Sequence, residues 1–269
     1  MSNHQTQMNL ELNNQTVLIT GSSSGIGQGI ADGFLKEGAS VILTGTNKAK
    51  LVDTYQGLSK KYNKGKILTH LGDLNKPEIL ELLYKFIINE SDGIDHIVCN
   101  IGSGKSVAPL EEDVPEFMRM LDINLLNAVG IVNKLSSILK SSTTKEKCSP
   151  SISFVGSICG VETLGCPVPY ASAKSALVSY AKNISFPLGK LGIRVNVVSP
   201  GNIMFPGSTW EDKINKDPKK VQEILKKEVP LQCFGDIEDV ANAIIFLSSK
   251  RAKFVTGANW IIDGGQTRS

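Results

Sequence analysis

The sequence predicts an α/β fold: one domain in which a parallel sheet is wrapped by helices. Three observations carry that expectation. Short β-branched runs alternate with longer stretches of helical period, the order that parallel strands and crossover helices impose. The first run leads straight into a glycine-rich turn and a helix. A length of 269 residues, 41% of them hydrophobic and 20% charged, supports one well-buried core and excludes disordered and fibrous chains.

Taken in order, the chain begins with a polar arm, residues 1–14, expected to be flexible. Strands are expected at 16–20, 40–44, 66–70, 96–99, 151–155, 194–198 and 260–262, with helical stretches in most of the gaps. No internal repeat, low-complexity tract or Pro/Ser-rich linker divides residues 15–269, so they read as one domain. Two stretches break the rhythm. Residues 139–150 (LKSSTTKEKCSP) are polar and charged and read as an exposed loop after a long helix. Residues 202–228 open NIMFPGSTW and continue as a charged amphipathic stretch. Connections this long are usually functional or disordered, and Phe205 and Trp210 favour a substrate lid.

Composition removes several function classes. With 29 Lys+Arg against 26 Asp+Glu, the net charge of +3 lacks the concentrated positive field that nucleic-acid or membrane-surface binding needs. The three histidines (His4, His70, His96) lie far apart, and the five cysteines (Cys99, Cys148, Cys159, Cys166, Cys233) form no CxxC pair, so no metal site is expected. An odd number of scattered cysteines reads as free thiols in a reducing compartment, by default the cytoplasm. No apolar run approaches membrane-spanning length, and the N-terminus lacks a basic start and an apolar core.

The first strand ends in Thr20-Gly21-Ser22-Ser23-Ser24-Gly25-Ile26-Gly27, with a helical pattern from Gln28. Glycines here allow a tight bend and close backbone approach, while the free N–H groups and dipole of the helix start attract a pyrophosphate. Gly21, Ser23, Ser24, Gly25, Ile26 and Gly27 are therefore candidate dinucleotide-binding residues. An adenosine-ribose reader belongs at the end of the second strand, which reads Leu43-Thr44-Gly45-Thr46-Asn47-Lys48. No carboxylate stands there to pair with a free 2′-hydroxyl. Thr46, Asn47 and Lys48 offer donors and positive charge for a 2′-phosphate, which favours NADP(H), while the lack of an arginine keeps NAD(H) open.

Ser157 follows an apolar strand, and thirteen positions later Tyr170-Ala171-Ser172-Ala173-Lys174 opens a helix. A spacing of four places Tyr170 and Lys174 on one helix face. An ammonium beside a phenol favours phenolate, lowering the tyrosine pKa and making it a usable proton donor and acceptor, while Ser157 bonds the same substrate oxygen.

With these residues assembled, the sequence resembles the short-chain dehydrogenase/reductase family over nearly the whole chain after the arm. The motifs that carry the resemblance are TGSSSGIG at Thr20, Asp73-Leu74, Cys99-Asn100-Ile101-Gly102, Asn124, Ser157, YASAK at Tyr170, Pro200-Gly201 and Ile262-Asp263-Gly264-Gly265. The resemblance implies a Rossmann-type, doubly wound sheet of seven parallel strands. It also implies a homotetramer built through the two long helices beginning near Glu112 and Tyr170. Tyr170 becomes the acid that protonates the substrate oxygen. Lys174 binds the nicotinamide ribose and lowers the tyrosine pKa, Ser157 orients the carbonyl, and Asn124 holds a water in a proton relay. Asp73 and Leu74 are implied at the adenine, Asn100 and Gly102 on the adenosine side, and Ile203 at the carboxamide, beside Pro200 and Gly201.

Two departures from the family pattern stand out. The turn after the fourth strand usually reads Asn-Asn-Ala-Gly, whereas Cys99 and Ile101 stand here. Phe205 occupies the place of a common threonine, for which Ser208 or Thr209 would have to substitute. The resulting expectation is an NADP(H)-dependent oxidoreductase interconverting a ketone and a secondary alcohol. A general resemblance to 3-oxoacyl-carrier-protein reductases favours a β-ketoacyl thioester, and a sugar or amino-sugar precursor is the alternative. A cofactor-sensing protein without turnover is disfavoured by the intact set Asn124, Ser157, Tyr170 and Lys174.

Overall fold

The structure, a computed structural model, describes residues 9–63, 65–91, 93–139 and 150–268. Each strand forms where the β-branched runs lie: β1 (Thr16–Ile19), β2 (Ser40–Gly45), β3 (Ile67–Leu71), β4 (His96–Cys99), β5 (Ser151–Val155), β6 (Arg194–Pro200) and β7 (Asn259–Ile262). The expected bounds differ from these by at most two residues at an end. Among the described residues the helices are α1 (Gly25–Lys36), α2 (Lys48–Lys61), α3 (Pro77–Ser91), α4 (Val114–Leu121), α5 (Asn127–Leu135), α6 (Val168–Gly189), α7 (Thr209–Lys216), α8 (Pro218–Glu228) and α9 (Ile237–Ser248). A single π turn, Asp122–Leu126, joins α4 to α5 into one long helix.

All seven strands run parallel in the order β3-β2-β1-β4-β5-β6-β7. The chain builds outward from β1 to β3, then crosses to the other side of β1 for β4. At that reversal the connections leaving β1 and β4 diverge and open a crevice at the carboxyl ends of the strands.

Both faces of the sheet are covered, so its central strands are apolar throughout rather than alternating. Val17 and Ile19 point to one face, where Ile30 and Phe34 of α1 and Val240 and Ile244 of α9 bury them. Leu18 points to the other, with Leu83 and Ile87 of α3, Ile131 and Leu135 of α5, and Leu177 of α6. Each such side chain contributes about 1.5–3 kcal/mol on burial. The close approach of α1 to α9 depends on small residues. A Cβ on Gly29 would stand 1.8 Å from Ile237, and one on Gly33 2.3 Å from Ile245.

Two expectations need correction. Residues 9–14 of the arm are docked: Leu12 is 1% exposed, the Asn14 N–H donates to Gly38 O at 3.1 Å, and Glu11 pairs with Lys250 at 3.0 Å. Free thiols were expected throughout, yet Cys159 and Cys166 form a disulfide with their Cα atoms 6.2 Å apart. The pairing is local, joining the turn after β5 to the loop that precedes α6 across a sequence separation of 7. Cys99 (buried) and Cys233 (exposed) are free, and Cys148 and most of the expected 139–150 loop lie outside the described residues.

Candidate active site

The glycine turn is shaped by hydroxyls at the ends of β1 and β2. The Gly21 N–H donates to Thr44 Oγ1 (3.1 Å), Ser22 Oγ donates to Ile19 O (2.7 Å), and the Thr44 N–H donates to Ser22 Oγ (3.0 Å). Gly21 and Gly25 adopt φ of +62° and +58°, the region glycine occupies without strain. A Cβ on Gly27 would lie 2.5 Å from Gly21 O and 2.6 Å from Asn100 Nδ2, so this glycine lets α1 start tight against the turn. Asn100 clamps the same turn from β4, donating through Nδ2 to Thr20 O (3.0 Å) and Gly21 O (3.1 Å).

From this turn a cavity of about 960 Å³ extends across the carboxyl ends of the strands to the start of α6. Gly21, Ser23, Ser24, Gly25, Ile26, Thr46, Asp73, Leu74, Asn100 and Gly102 border it near the turn. Ser157, Tyr170, Lys174, Pro200, Gly201 and Ile203 border it at the far end. Three predicted site residues do not border it. Gly27 supports the turn, Asn47 caps α2 by accepting from the Lys50 N–H at 3.0 Å, and Asn124 is buried in the π turn. The Asn124 side chain accepts from the Ser103 N–H (3.0 Å) and donates to Ser103 O and Met120 O (both 3.1 Å). Those bonds pin the segment after β4.

At the far end, Lys174 is 3% exposed and donates to Val155 O at 2.8 Å. Burial lowers its pKa to about 8, and the nearby Cys99 acts in the opposite sense. The Cys99 thiol is pushed up to about 12 by the same desolvation, so it stays protonated beneath the lysine. Burial also raises Tyr170 above the ordinary phenol range, while its hydrogen bond with Ser157 pulls the other way. Of these two effects on the phenol, desolvation is the larger. Gly102 brings the backbone close to both groups, since a Cβ there would lie 2.9 Å from Asn124 Oδ1 and 3.0 Å from Lys174 Nζ.

The 202–228 stretch folds into α7 and α8, and Trp210, Lys213, Ile224 and Glu228 from these helices border the cavity. Ser208 Oγ caps α7 by accepting from the Glu211 N–H at 3.1 Å, and Thr209 follows it on the cavity wall. The Phe205 ring rests on the glycine turn, where a Cβ on Gly25 would meet it at 2.9 Å. Trp210 packs against Phe234 with ring centroids 5.3 Å apart and carries Lys213 Nζ over its ring at 4.1 Å. The opposite wall holds Leu164, Gly165 and both disulfide cysteines. Sequence reasoning missed that wall, the clamp of Thr20, Ser22 and Thr44, and the cavity residues Asn202 and Gln266. A hydroxyl at each strand end beside the turn was the available signal for the clamp. Nothing in the sequence distinguishes Gln266.

A family model described as Enoyl-(Acyl carrier protein) reductase matches residues 21–267. The 3-oxoacyl-[acyl-carrier-protein] reductase of Rickettsia prowazekii is 32% identical over 259 residues, covering 95% of this chain and 98% of that one. Glucose 1-dehydrogenase 2 of Bacillus subtilis is 28% identical over 265 residues, covering 96% of each. The crystal structure of L-sorbose reductase from Gluconobacter frateurii, complexed with NADPH and L-sorbose, superposes with a TM-score of 0.89 at 27% identity, covering 97% of this chain and all of that one.

Proposed function

The chain belongs to the short-chain dehydrogenase/reductase family, and we propose that it interconverts a ketone and a secondary alcohol with NADP(H), through Tyr170 and Lys174. One observation carries the reading: the glycine turn and the Ser157, Tyr170 and Lys174 cluster open into a single cavity. The residues fit a dinucleotide. Gly21, Ser23, Ser24 and Gly25 border the cavity at the start of α1, and among the described residues Lys174 makes one protein hydrogen bond, leaving further N–H donors for ribose hydroxyls. At the end of β2, Thr46 borders the cavity without a carboxylate, and Lys48 begins α2, which favours the 2′-phosphate form.

When bound, the reduced cofactor supplies hydride to the carbonyl carbon. Ser157 holds the carbonyl oxygen, and the Tyr170 hydroxyl gives that oxygen its proton, so that ketone, NADPH and a proton become secondary alcohol and NADP⁺. Asn124 fixes the Ser103 segment against α4 and holds Gly102 in place beside Lys174. The α7–α8 segment acts as a lid. Homotetramer assembly through α4–α5 and α6 agrees with the exposed apolar side chains there. The cytoplasm is the proposed compartment, since the reaction draws on a soluble pool of reduced cofactor; no helix among the described residues is long and apolar enough to cross a membrane.

Two substrate classes follow from the relatives, a 3-oxoacyl thioester and a sugar ketone. Loss of reduced-cofactor absorbance with acetoacetyl thioester and with a ketose, each offered NADPH and NADH, tests the reading. Oxidation of NADPH by at least one ketone is expected. Faster turnover with NADH would overturn the cofactor assignment.

A further inference from the structure

The connection from β5 to α6 begins at Ser157 and delivers the chain to Tyr170, and its two halves are held by different means. The first half is fixed by its own bonds. The Cys159 N–H donates to Ser157 Oγ (3.2 Å), the Gly160 N–H to Ser157 O (3.0 Å), and the Val161 and Glu162 N–H groups to Ile158 O (both 2.9 Å). Gly160 is pressed onto α6, where a Cβ would stand 2.6 Å from the Lys174 carbonyl carbon, and Glu162 accepts from the Arg268 N–H at 2.6 Å. Residues 163–166 lack that support. Among the described residues none of their backbone groups meets a backbone partner, Thr163 and Gly165 are exposed, and a Cβ on Gly165 would meet nothing within 4 Å. The Cys159–Cys166 bridge ties this second half to the first.

Leu164, Gly165 and both cysteines border the cavity opposite the α7–α8 segment. A substrate entering between them meets a wall whose order depends on one covalent bond. Both cysteines are only half-buried, which leaves the bridge within reach of a small thiol that enters the cavity. Exchange with a dithiol runs through a mixed disulfide: one thiolate bonds to a bridge sulfur as the S–S bond breaks, and the second thiol then displaces that sulfur. Two electrons pass to the bridge, the cysteines keep two protons as thiols, and the dithiol becomes its own disulfide. In the proposed cytoplasmic compartment such bridges are usually transient and serve catalysis or redox sensing.

We propose that Cys159 and Cys166 form a thiol-exchange site that sets the order of the substrate wall: the bridged form binds substrate well, and opening by a dithiol weakens substrate binding while leaving the cofactor site as it was. The inference rests on the oxidoreductase reading above and adds control of its substrate side. The glycine turn is held by Ser22, Thr44 and Asn100, none of which belongs to this loop, and Ser157 keeps its own turn without the bridge.

The test equilibrates the full-length protein in graded ratios of reduced to oxidised dithiothreitol and removes the dithiol before assay. Alkylation with peptide mass spectrometry then reports the state of Cys159 and Cys166. In parallel, KM and kcat are measured with NADPH for acetoacetyl thioester and erythrulose, together with the NADPH Kd. As the bridge opens, KM for the ketone that is reduced should rise by about tenfold, the size expected when one or two wall residues must be ordered on binding. The NADPH Kd should not move, kcat should change little, and amide hydrogen exchange should quicken at 163–166. Re-oxidation should restore the low KM. Cys159→Ser/Cys166→Ser should show the high KM at every ratio, and Cys233→Ser should respond as wild type does. Both cysteines alkylated even in fully oxidised dithiothreitol, a KM that is the same bridged and open, or a response that survives in the double variant overturns the inference and leaves the oxidoreductase reading intact. If the bridged protein binds NADPH yet reduces neither ketone, that reading falls and the inference with it.

Discussion

Lys174 and Tyr170 are desolvated together, and the two respond in opposite directions. Burial removes charge from each, lowering the lysine towards about 8 and raising the tyrosine. The proposed ribose contact needs the ammonium, which is the acid form. Cofactor binding should therefore be strong below about pH 8 and weaken as pH rises through it. For the fold the sign is reversed: a lysine whose pKa is depressed penalises folding below that value, and the penalty is relieved at higher pH. The dissociation constant of NADPH measured from neutral to alkaline pH should show this step, and Lys174→Met should remove it; an unchanged step in that variant would show that another group titrates. Tyr170→Phe should bind NADPH nearly as wild type does, yet lose about 10²- to 10⁴-fold in kcat, the usual worth of a positioned acid. Full activity in that variant would remove the tyrosine from the mechanism. Both residues were legible because a four-residue spacing on a helix is local geometry. The burial of Lys174 under Val155 was not, because it depends on where α6 lands on the sheet. His96 makes the same point: it is neutral, pulled down to about 3 inside the core, and hydrogen-bonded to Ser151 at 2.8 Å.

At the scale of elements, the strand–turn–helix unit of β1 and α1 could be read directly, since turn chemistry and apolar period sit together in sequence. The 202–228 stretch showed its amphipathic character but not its division, which Asp217 and Pro218 impose by ending α7 and capping α8. Hidden altogether was the tie between the two ends of the loop from β5 to α6. Cys159 and Cys166 close a loop with a sequence separation of 7, and that loop is one wall of the cavity. Closing so short a loop contributes about 2–3 kcal/mol on the chain-entropy account. The double variant Cys159→Ser/Cys166→Ser should melt several degrees lower, at roughly 2–4 °C per kcal/mol for a domain near this size. Reductant should lower the melting temperature of wild type by a similar amount and leave the variant unmoved. Identical melting of oxidised and reduced wild type would mean the bridge does not form in solution.

For the whole molecule, the sheet order places the cavity at one end and leaves the outer faces of α4–α5 and α6 free of it. Both carry exposed apolar side chains. Val114, Met118 and Leu126 are 75%, 49% and 46% exposed, and Phe186 and Leu191 near the end of α6 are 71% and 68% exposed. Scattered apolar residues need no explanation, but exposed apolar side chains on these two helices are what the proposed homotetramer would bury. Apolar side chains at such a surface act as its anchors, and a charge placed among them is desolvated on association without a partner. If the proposed homotetramer forms through these helices, the chain should run as four copies in light scattering, and Met118→Glu with Phe186→Glu should give smaller species that still bind NADPH, because neither residue borders the cavity. A wild-type protein that stays monomeric at micromolar concentration would leave these helices exposed for some other partner and remove the tetramer from the account.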